Sequence, residues 1–300
     1  MEVVRPQPRE RNPGPTWGYR LLFFSDTVLP QAVVNCALYA GASVAVTCMP
    51  EQRKASADYL QLVLKHRPAR RDINRHFYTF TRSLMAKLRV ARGLKPDFRY
   101  ADTAASQPFH ALCTSGEPAL FGTFHVGQSD LLGCMLSEFD RDIALVRHRV
   151  GNSLDTDFMA RTFSPRVRFL WVNQPENLLF ELKNAIEQNL SIGLQCDRVE
   201  YGGRLEAFSF LGKQRLFPVT IYHLARLFRR PVAFAFAGSE QRSGRIPVVT
   251  SSVFKPADHN DPQSAAREHF QEVLSALETH LLENPYLWFN FKGLNPEAAS

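Results

Sequence analysis

The sequence predicts an α/β fold: a mostly parallel central sheet flanked by helices, preceded by a helical, partly membrane-associated N-terminal segment. Three observations carry this. From Pro118 onward, short apolar runs of strand length alternate with amphipathic helical patterns, the order that builds parallel sheets covered on both faces. The 300 residues are 45% hydrophobic, which supports a sizeable core. Ahead of that region, Thr27 to Pro50 runs for 24 residues without a charge.

The elements follow in chain order. Met1 to Pro15 is polar and carries four prolines, so it is predicted to be disordered. Its charges and prolines stand where a signal peptide would start its apolar run. Between Asp26 and Glu51, 16 of the 24 residues are apolar, many of them small Ala and Val, with Pro30, Gln31 and Asn35 interrupting. The length suffices to cross a bilayer. A buried helix pair or an in-plane membrane segment fits the same composition. Glu51 to Gly93 reads as helical and basic, with Arg70, Arg71, Arg75, Arg82, Lys87, Arg89 and Arg92. Such a face suits either solvent or anionic headgroups. The predicted organisation is a disordered 1–16, a helical membrane-associated 17–110 and an α/β domain over 111–300.

Within that domain the strand-like runs are Ala119–Phe124, Ile143–Val146, Val167–Val172, Ser191–Gln195 and Pro231–Ala237. Leu131, Leu132, Met135, Leu136 and Phe139 make one helical stripe. Leu178, Leu179, Leu182 and Ile186 make a second, after a helix start at Pro175. Phe270, Val273, Leu274, Leu277 and Leu281 make a third, ending before Pro285.

Composition narrows the function classes. A net charge of +7 favours an anionic partner, such as acidic lipid or an acidic protein. Nucleic acid is not expected, because no zinc-finger spacing or RNA-binding motif is present. No GxGxxG follows a strand, and neither a phosphate-binding GxxxxGK[ST] nor a GxSxG elbow occurs. No dense His/Cys/acid cluster suggests a metal, so neither metal nor organic cofactor is expected. The five cysteines are scattered without CxxC and read as buried thiols in a reducing compartment. The 23 Phe and 3 Trp fit an aromatic core, an acyl-chain groove or a membrane-facing surface.

The candidate catalytic residues stand in Pro118–Gly133. A buried strand ends there, His125 follows at its end, and Asp130 comes five residues later on a helix-patterned segment. Open α/β folds build their sites at that carboxyl edge. An imidazole can take a proton near neutral pH, and a carboxylate can fix its tautomer. The spacing alone is what chance supplies among nine His and 29 acids, and a structural pair would look the same. The weight lies in the position after a strand and in the motifs further along the chain.

Downstream come Gly193-Leu-Gln-Cys-Asp197, Gly202-Gly203, Ala207-Phe-Ser-Phe-Leu-Gly212, Phe217-Pro218 with its following Leu224-Ala225, and Arg230-Pro231-Val. Leu145-Val-Arg147-His-Arg149-Val-Gly-Asn152, Phe158-Met-Ala-Arg161 and Pro285-Tyr-Leu-Trp288-Phe-Asn-Phe complete the series. In order and spacing, over about Trp17 to Phe291, this resembles the bacterial lipid A late acyltransferases, the lauroyl/myristoyl branch of the lysophospholipid acyltransferase superfamily. The sequence departs from that pattern in three places. Asp130 stands where the family often has Glu, Phe210-Leu-Gly212 replaces "FFG", and Asn290-Phe-Lys292-Gly replaces an Arg-rich "HRRW".

The resemblance implies a glycerolphosphate-acyltransferase-like fold and transfer of an acyl chain from a thioester to a lipid hydroxyl. The donor would be acyl carrier protein or acyl-CoA, and the acceptor a lipid A precursor or another membrane lipid. The reaction would take place at the cytoplasmic face of the inner membrane, with no cofactor beyond the donor. His125 would act as general base and Asp130 would orient it. Backbone N–H groups around Gly127 are one option for the oxyanion. Arg147, Arg149 and Arg161 would grip a phosphate or belong to a solvated surface. Asp197 would position substrate, pair with an Arg or cap the Gly202-Gly203 loop. Phe208, Phe210 and Phe217, around Gly212, would line an acyl groove or fill the core. Arg226, Arg229 and Arg230 could meet an acidic carrier protein. A membrane-associated thioesterase and a catalytically inactive scaffold of this fold are the alternatives.

Overall fold

A computed structural model of the chain describes residue 21 and residues 24–100, 103–148, 166–172, 175–199, 203–241 and 243–298. The expected disorder over 1–16 lies outside the described residues. Three helices come first: α1 (Gln31–Cys48), α2 (Pro50–Leu64) and α3 (Arg70–Ala91). Strand β1 (Asp97–Tyr100) and helix α4 (Ser106–Thr114) lead into β2 (Leu120–Thr123). After β2 a short α5 (Leu132–Met135) is flanked by 3-10 turns at Ser129–Leu131 and Leu136–Phe139. Then come β3 (Ile143–Arg147), β4 (Val167–Trp171), α6 (Pro175–Glu187) and β5 (Ser191–Gln195). The chain continues through β6 (Leu205–Phe210), β7 (Lys213–Pro218), α7 (Thr220–Phe228), β8 (Val232–Ala237), β9 (Arg245–Thr250) and α8 (Pro262–Glu283).

Seven strands form one sheet in the order β1-β9-β8-β2-β5-β3-β4, parallel throughout except where β8 meets β9. The five expected strands are β2, β3, β4, β5 and β8. Sequence patterning missed β1, β9 and the β6–β7 hairpin. β1 has only four residues and carries Asp97 and Arg99, and β9 contains Pro247, which argues against a sheet interior. The expected boundary at residue 110 falls inside α4, and β1 already belongs to the sheet.

Side chains alternate across the strands and build a core on each face. On one face Leu120, Ile192, Phe234 and Phe236 pack against α2, α6, α7 and α8. On the other, Phe121, Leu145, Ala233 and Ala235 pack against α4 and the 129–139 segment. The α8 stripe buries as expected, and the Asp261 side chain caps the helix by accepting from the Gln263 and Ser264 amides.

The hairpin corrects one expectation. Phe208, Phe210 and Phe217 are sealed in the first core, edge-on to Phe270 and Trp288, and line no groove. Gly212 (φ 76°) with Leu211 (φ 50°) makes the two-residue turn, a conformation that twists the strands together and suits glycine. Its place is therefore conformational. The cysteines divide: Cys113 and Cys196 are buried, whereas Cys36 and Cys48 are exposed on α1, against the expectation of buried thiols.

Helix α1 is long and apolar enough to cross a membrane, by length and composition. It lies along α3, burying Val34 and Leu38 against Met85 and Leu88. Asn74 donates to Ser43 Oγ at 3.2 Å and Arg70 to Thr47 Oγ1 at 3.1 Å across the pair. Its outer face leaves Val33, Tyr39 and Val44 exposed, continuing Phe24 and Val28 upstream. The basic run splits. Arg70, Arg71, Arg75 and Arg82 are exposed, while Arg89 and Arg92 turn inward to Asp26 and Lys87 to Asp130.

Gly122, in the central strand, shows how tightly the first core is packed. A Cβ there would come within 2.2 to 2.6 Å of the buried Phe234 ring. Gly122→Ala should therefore destabilise the protein by about 1–3 kcal/mol through overpacking. Gly41, mid-α1, has nothing within 4 Å of a built Cβ. Gly41→Ala should be neutral or stabilising by up to about 1 kcal/mol. Chemical denaturation of the two variants side by side checks this.

Candidate active site

The parallel register builds the site. Thr123 of β2 pairs with Gln195 of β5, so the residues two positions beyond each strand, His125 and Asp197, emerge side by side. His125 Nδ1 lies 2.7 Å from Asp197 Oδ1, and the His125 backbone N–H donates to Oδ2 at 3.0 Å. A carboxylate only accepts here, so Nδ1 carries a proton, and in the neutral ring the lone pair stands on Nε2. Asp197 is wholly buried, while the His125 side chain keeps 14% of its surface open. Burial alone would raise the Asp197 carboxyl. His125, Arg198 and the Trp288 indole outweigh it and hold the group below the usual carboxylate range.

This corrects the expected pairing of His125 with Asp130. Asp130 sits on the 3-10 turn after β2, and its carboxylate is taken by Lys87 from α3, by Gln195 at the end of β5, and by Arg147 at 3.4 Å. Burial again opposes ionisation. Lys87, Arg147 and then His125 overcome it and keep Asp130 well below its ordinary value. Asp130 thus reaches His125 through its field, while Asp197 holds the imidazole directly.

The turn itself is closely specified. Gly127 has φ 50°, and a Cβ would meet the Ala237 and Gly238 carbonyl oxygens at 2.3 and 2.7 Å. Glycine alone fits that approach. Every backbone N–H from His125 to Ser129 already donates: to Asp197, Phe124 O, Leu287 O, Gly238 O and Val126 O in turn. In this arrangement the Gly127 loop has no amide to give an oxyanion, contrary to the sequence expectation.

On the sheet face away from the hairpin, an apolar cavity opens between the strands and the 129–139 segment. Phe109, Phe121, Leu132, Leu136 and Leu145 line it, and Thr123, Asp130, Arg147 and Gln195 form its polar end at the carboxyl edge of the strands. A Cβ at Gly133 or Gly193 would come within 2.4 or 2.5 Å of Leu145 Cδ2, so both glycines make room for that side chain.

Among the other expected site residues, Arg147 stands at this polar end. Arg149 and Arg161 lie outside the described residues. Arg226 lies in the last turn of α7, and Arg229 and Arg230 lie between α7 and β8, so the three sit at the amino edge of the sheet, opposite His125; Arg230 reaches Asn189, just ahead of β5. Sequence reasoning missed Lys87, Gln195 and the contact of Trp288 with Asp197. The signal for the His125–Asp197 pair was present, since both residues follow buried strands by the same interval. Among the described residues no group of three or more His, Cys, Asp or Glu could hold a metal ion.

No family model matches the chain, and no curated protein matches it. Among solved structures, the 1-acyl-sn-glycerophosphate (LPA) acyltransferase PlsC from Thermotoga maritima aligns over 84% of this chain and 97% of that chain. The identity is 11% and the TM-score 0.38, and a likeness that distant supports no conclusion about function.

Two carboxylates next to one histidine should separate by experiment. Asp197→Asn deprives Nδ1–H of its charged acceptor and should lower any His125-dependent rate on the order of 10²–10⁴-fold. Asp130→Asn should cost less rate, and it should cost more stability near neutral pH than in acid. Its folded carboxyl lies below the free value near 4, so it contributes stability that is complete above about pH 4 and lost as pH falls through the folded value. Urea unfolding between about pH 5 and 2 should show a flatter acid limb in Asp130→Asn than in the wild type.

Proposed function

We propose that the protein is an acyltransferase that moves an acyl chain from a thioester to a hydroxyl of a membrane lipid. The observation that carries this is a histidine with its Nδ1–H locked on a buried carboxylate and Nε2 left as the base, at the carboxyl edge of a sheet beside an apolar cavity with a polar end. A hydroxyl is a weak nucleophile until a base removes its proton during attack. The family resemblance in the order of the sequence motifs points the same way.

In this reading the acceptor hydroxyl donates its proton to His125 Nε2 as its oxygen bonds to the thioester carbonyl carbon. Asp197 stabilises the imidazolium that forms. The tetrahedral intermediate collapses, the C–S bond breaks, and the sulfur leaves with the proton from Nε2–H. Ester and free thiol are the products, and no acyl-enzyme is needed. The acyl chain occupies the apolar cavity, and Arg147 at its polar end meets an anionic group of the acceptor. The donor is acyl carrier protein or acyl-CoA. A carrier delivering its thioester to His125 approaches the carboxyl edge, so Arg226, Arg229 and Arg230 do not serve as its seat. The acceptor is a lipid A precursor or another membrane lipid, reached at the cytoplasmic face of the inner membrane.

The exposed apolar face of α1 supports membrane attachment. Because α1 lies along α3, and α3 reaches the site through Lys87, this face would meet the bilayer in plane and keep His125 near lipid headgroups. The protein should stay with membranes in high salt, which screens charge without weakening apolar burial. Val33→Glu with Val44→Glu should move it to the soluble fraction, both positions being exposed. Release of the unaltered protein by salt alone would contradict this.

The activity test supplies an acyl-thioester with and without a hydroxyl-bearing lipid, following free thiol and acylated lipid. Acylated lipid that depends on acceptor, lost on the order of 10²–10⁴-fold in His125→Ala, is the expected result. Thiol release without acceptor would identify a thioesterase, and neither product a scaffold.

A further inference from the structure

The C-terminal segment 286–291 runs beneath the His125 turn and is tied to it on both sides. The Phe289 N–H donates to His125 O at 2.7 Å, the Gly127 N–H donates to Leu287 O at 2.9 Å, and Val126 and Trp288 form an antiparallel bridge. The Trp288 side chain is buried, edge-on to Tyr59 and Phe210 at 5.2 and 5.6 Å between centroids. Its indole N–H reaches inward and donates to Asp197 Oδ2 at 2.9 Å.

The Trp288 backbone is held in turn. Its carbonyl accepts from His76 Nε2 at 2.8 Å. A carbonyl only accepts, so His76 is protonated on Nε2, and its Nδ1 accepts from Ser56 Oγ at 2.8 Å. His76, Ser56 and Trp288 are all buried, far along the chain from one another, and aligned on one carboxylate. A tryptophan used only to fill space would not need its N–H on a charged group, nor a buried histidine donating to its backbone.

We propose that Trp288 is a positioning residue for the His125–Asp197 pair, and that His76, set by Ser56, fixes Trp288 in place. Asp197 has two oxygens and one task toward the imidazole. The Trp288 indole and the His125 amide both occupy Oδ2, which leaves Oδ1 aimed at Nδ1 and prevents the carboxylate from turning. The inference rests on His125 as proton acceptor.

Trp288→Phe keeps a ring and deletes the donor. Without that donor the Asp197 charge is less dispersed, so it stabilises the imidazolium more, and Oδ2 is held by the His125 amide alone, which loosens the carboxylate. The His125 pKa should rise by roughly half a unit, and kcat should fall about tenfold with KM for the thioester unchanged within about twofold. The His125 titration is read by NMR of the ring nitrogens, assigned through His125→Ala, and needs no substrate. A protein without transferase activity would thus still report on Trp288, while an unchanged His125 titration in an active enzyme would overturn the Trp288 role alone.

A purely structural role predicts a lower melting temperature with the titration and the pH–rate profile unmoved, and that outcome also overturns the proposal. His76 gives a second reading should Trp288→Phe not fold. His76→Ala should displace the His125 titration in the same direction, and His76→Gln, which can still donate to the Trp288 carbonyl, should recover most of it. Equal titrations in wild type, His76→Ala and His76→Gln would overturn the chain of contacts.

Discussion

A carboxylate buried without solvent is the constraint on which this structure turns. An isolated ionised carboxyl in an apolar interior would cost tens of kcal/mol in a simple continuum picture, and in practice it would take up a proton. Asp197 stays charged because the His125 ring, the His125 amide and the Trp288 indole donate to it and the Arg198 charge adds to them. The donors come from two separate constraints on the chain. The ring and amide arrive through the β2–β5 register, and the indole arrives with the C-terminal segment. The oriented imidazole is therefore a consequence of how the sheet and the chain end fit together.

The same turn is gripped from the N-terminal side. Along one face of α3, His76 holds the Trp288 carbonyl, Ser83 donates to Gly127 O at 2.7 Å, and Lys87 neutralises Asp130. The helix that carries these residues is the one on which α1 docks. The exposed apolar face of α1 is thus connected to the His125 turn by helix packing rather than by a linker. Two acids sit within the field of one histidine, but their environments separate their work. Asp197 accepts from the imidazole, the His125 amide and the Trp288 indole, whereas Asp130 is paired with two cations, Lys87 and Arg147.

Much of this was legible in the sequence. The buried parallel strands read as continuous apolar runs, and the late helix read as a stripe from Phe270 to Leu281, because burial on one or both faces dictates those patterns. His125 was legible as a histidine at a strand end. For its partner the sequence held two signals, spacing along the chain for Asp130 and equal spacing after a buried strand for Asp197, and only the register tells them apart. Phe208, Phe210 and Phe217 read as groove or core, and packing against Phe270 and Trp288 decides for core. Lys87 stood out in a basic run and Trp288 in the closing motif, but neither signalled its partner, since each acts over a distance in sequence that only the fold closes. Arg226, Arg229 and Arg230 formed a charged run whose direction depended on which end of α7 faces the site.

The central claim is that Asp197, and not Asp130, holds the His125 imidazole with its proton on Nδ1. Proton and nitrogen NMR of the histidine rings tests it most directly. In its neutral form, His125 should show a protonated Nδ1 with a strongly downfield proton and an unprotonated Nε2. That proton signal should vanish or move far upfield in Asp197→Asn and persist in Asp130→Asn. A signal that survives Asp197→Asn and is lost in Asp130→Asn would contradict the account.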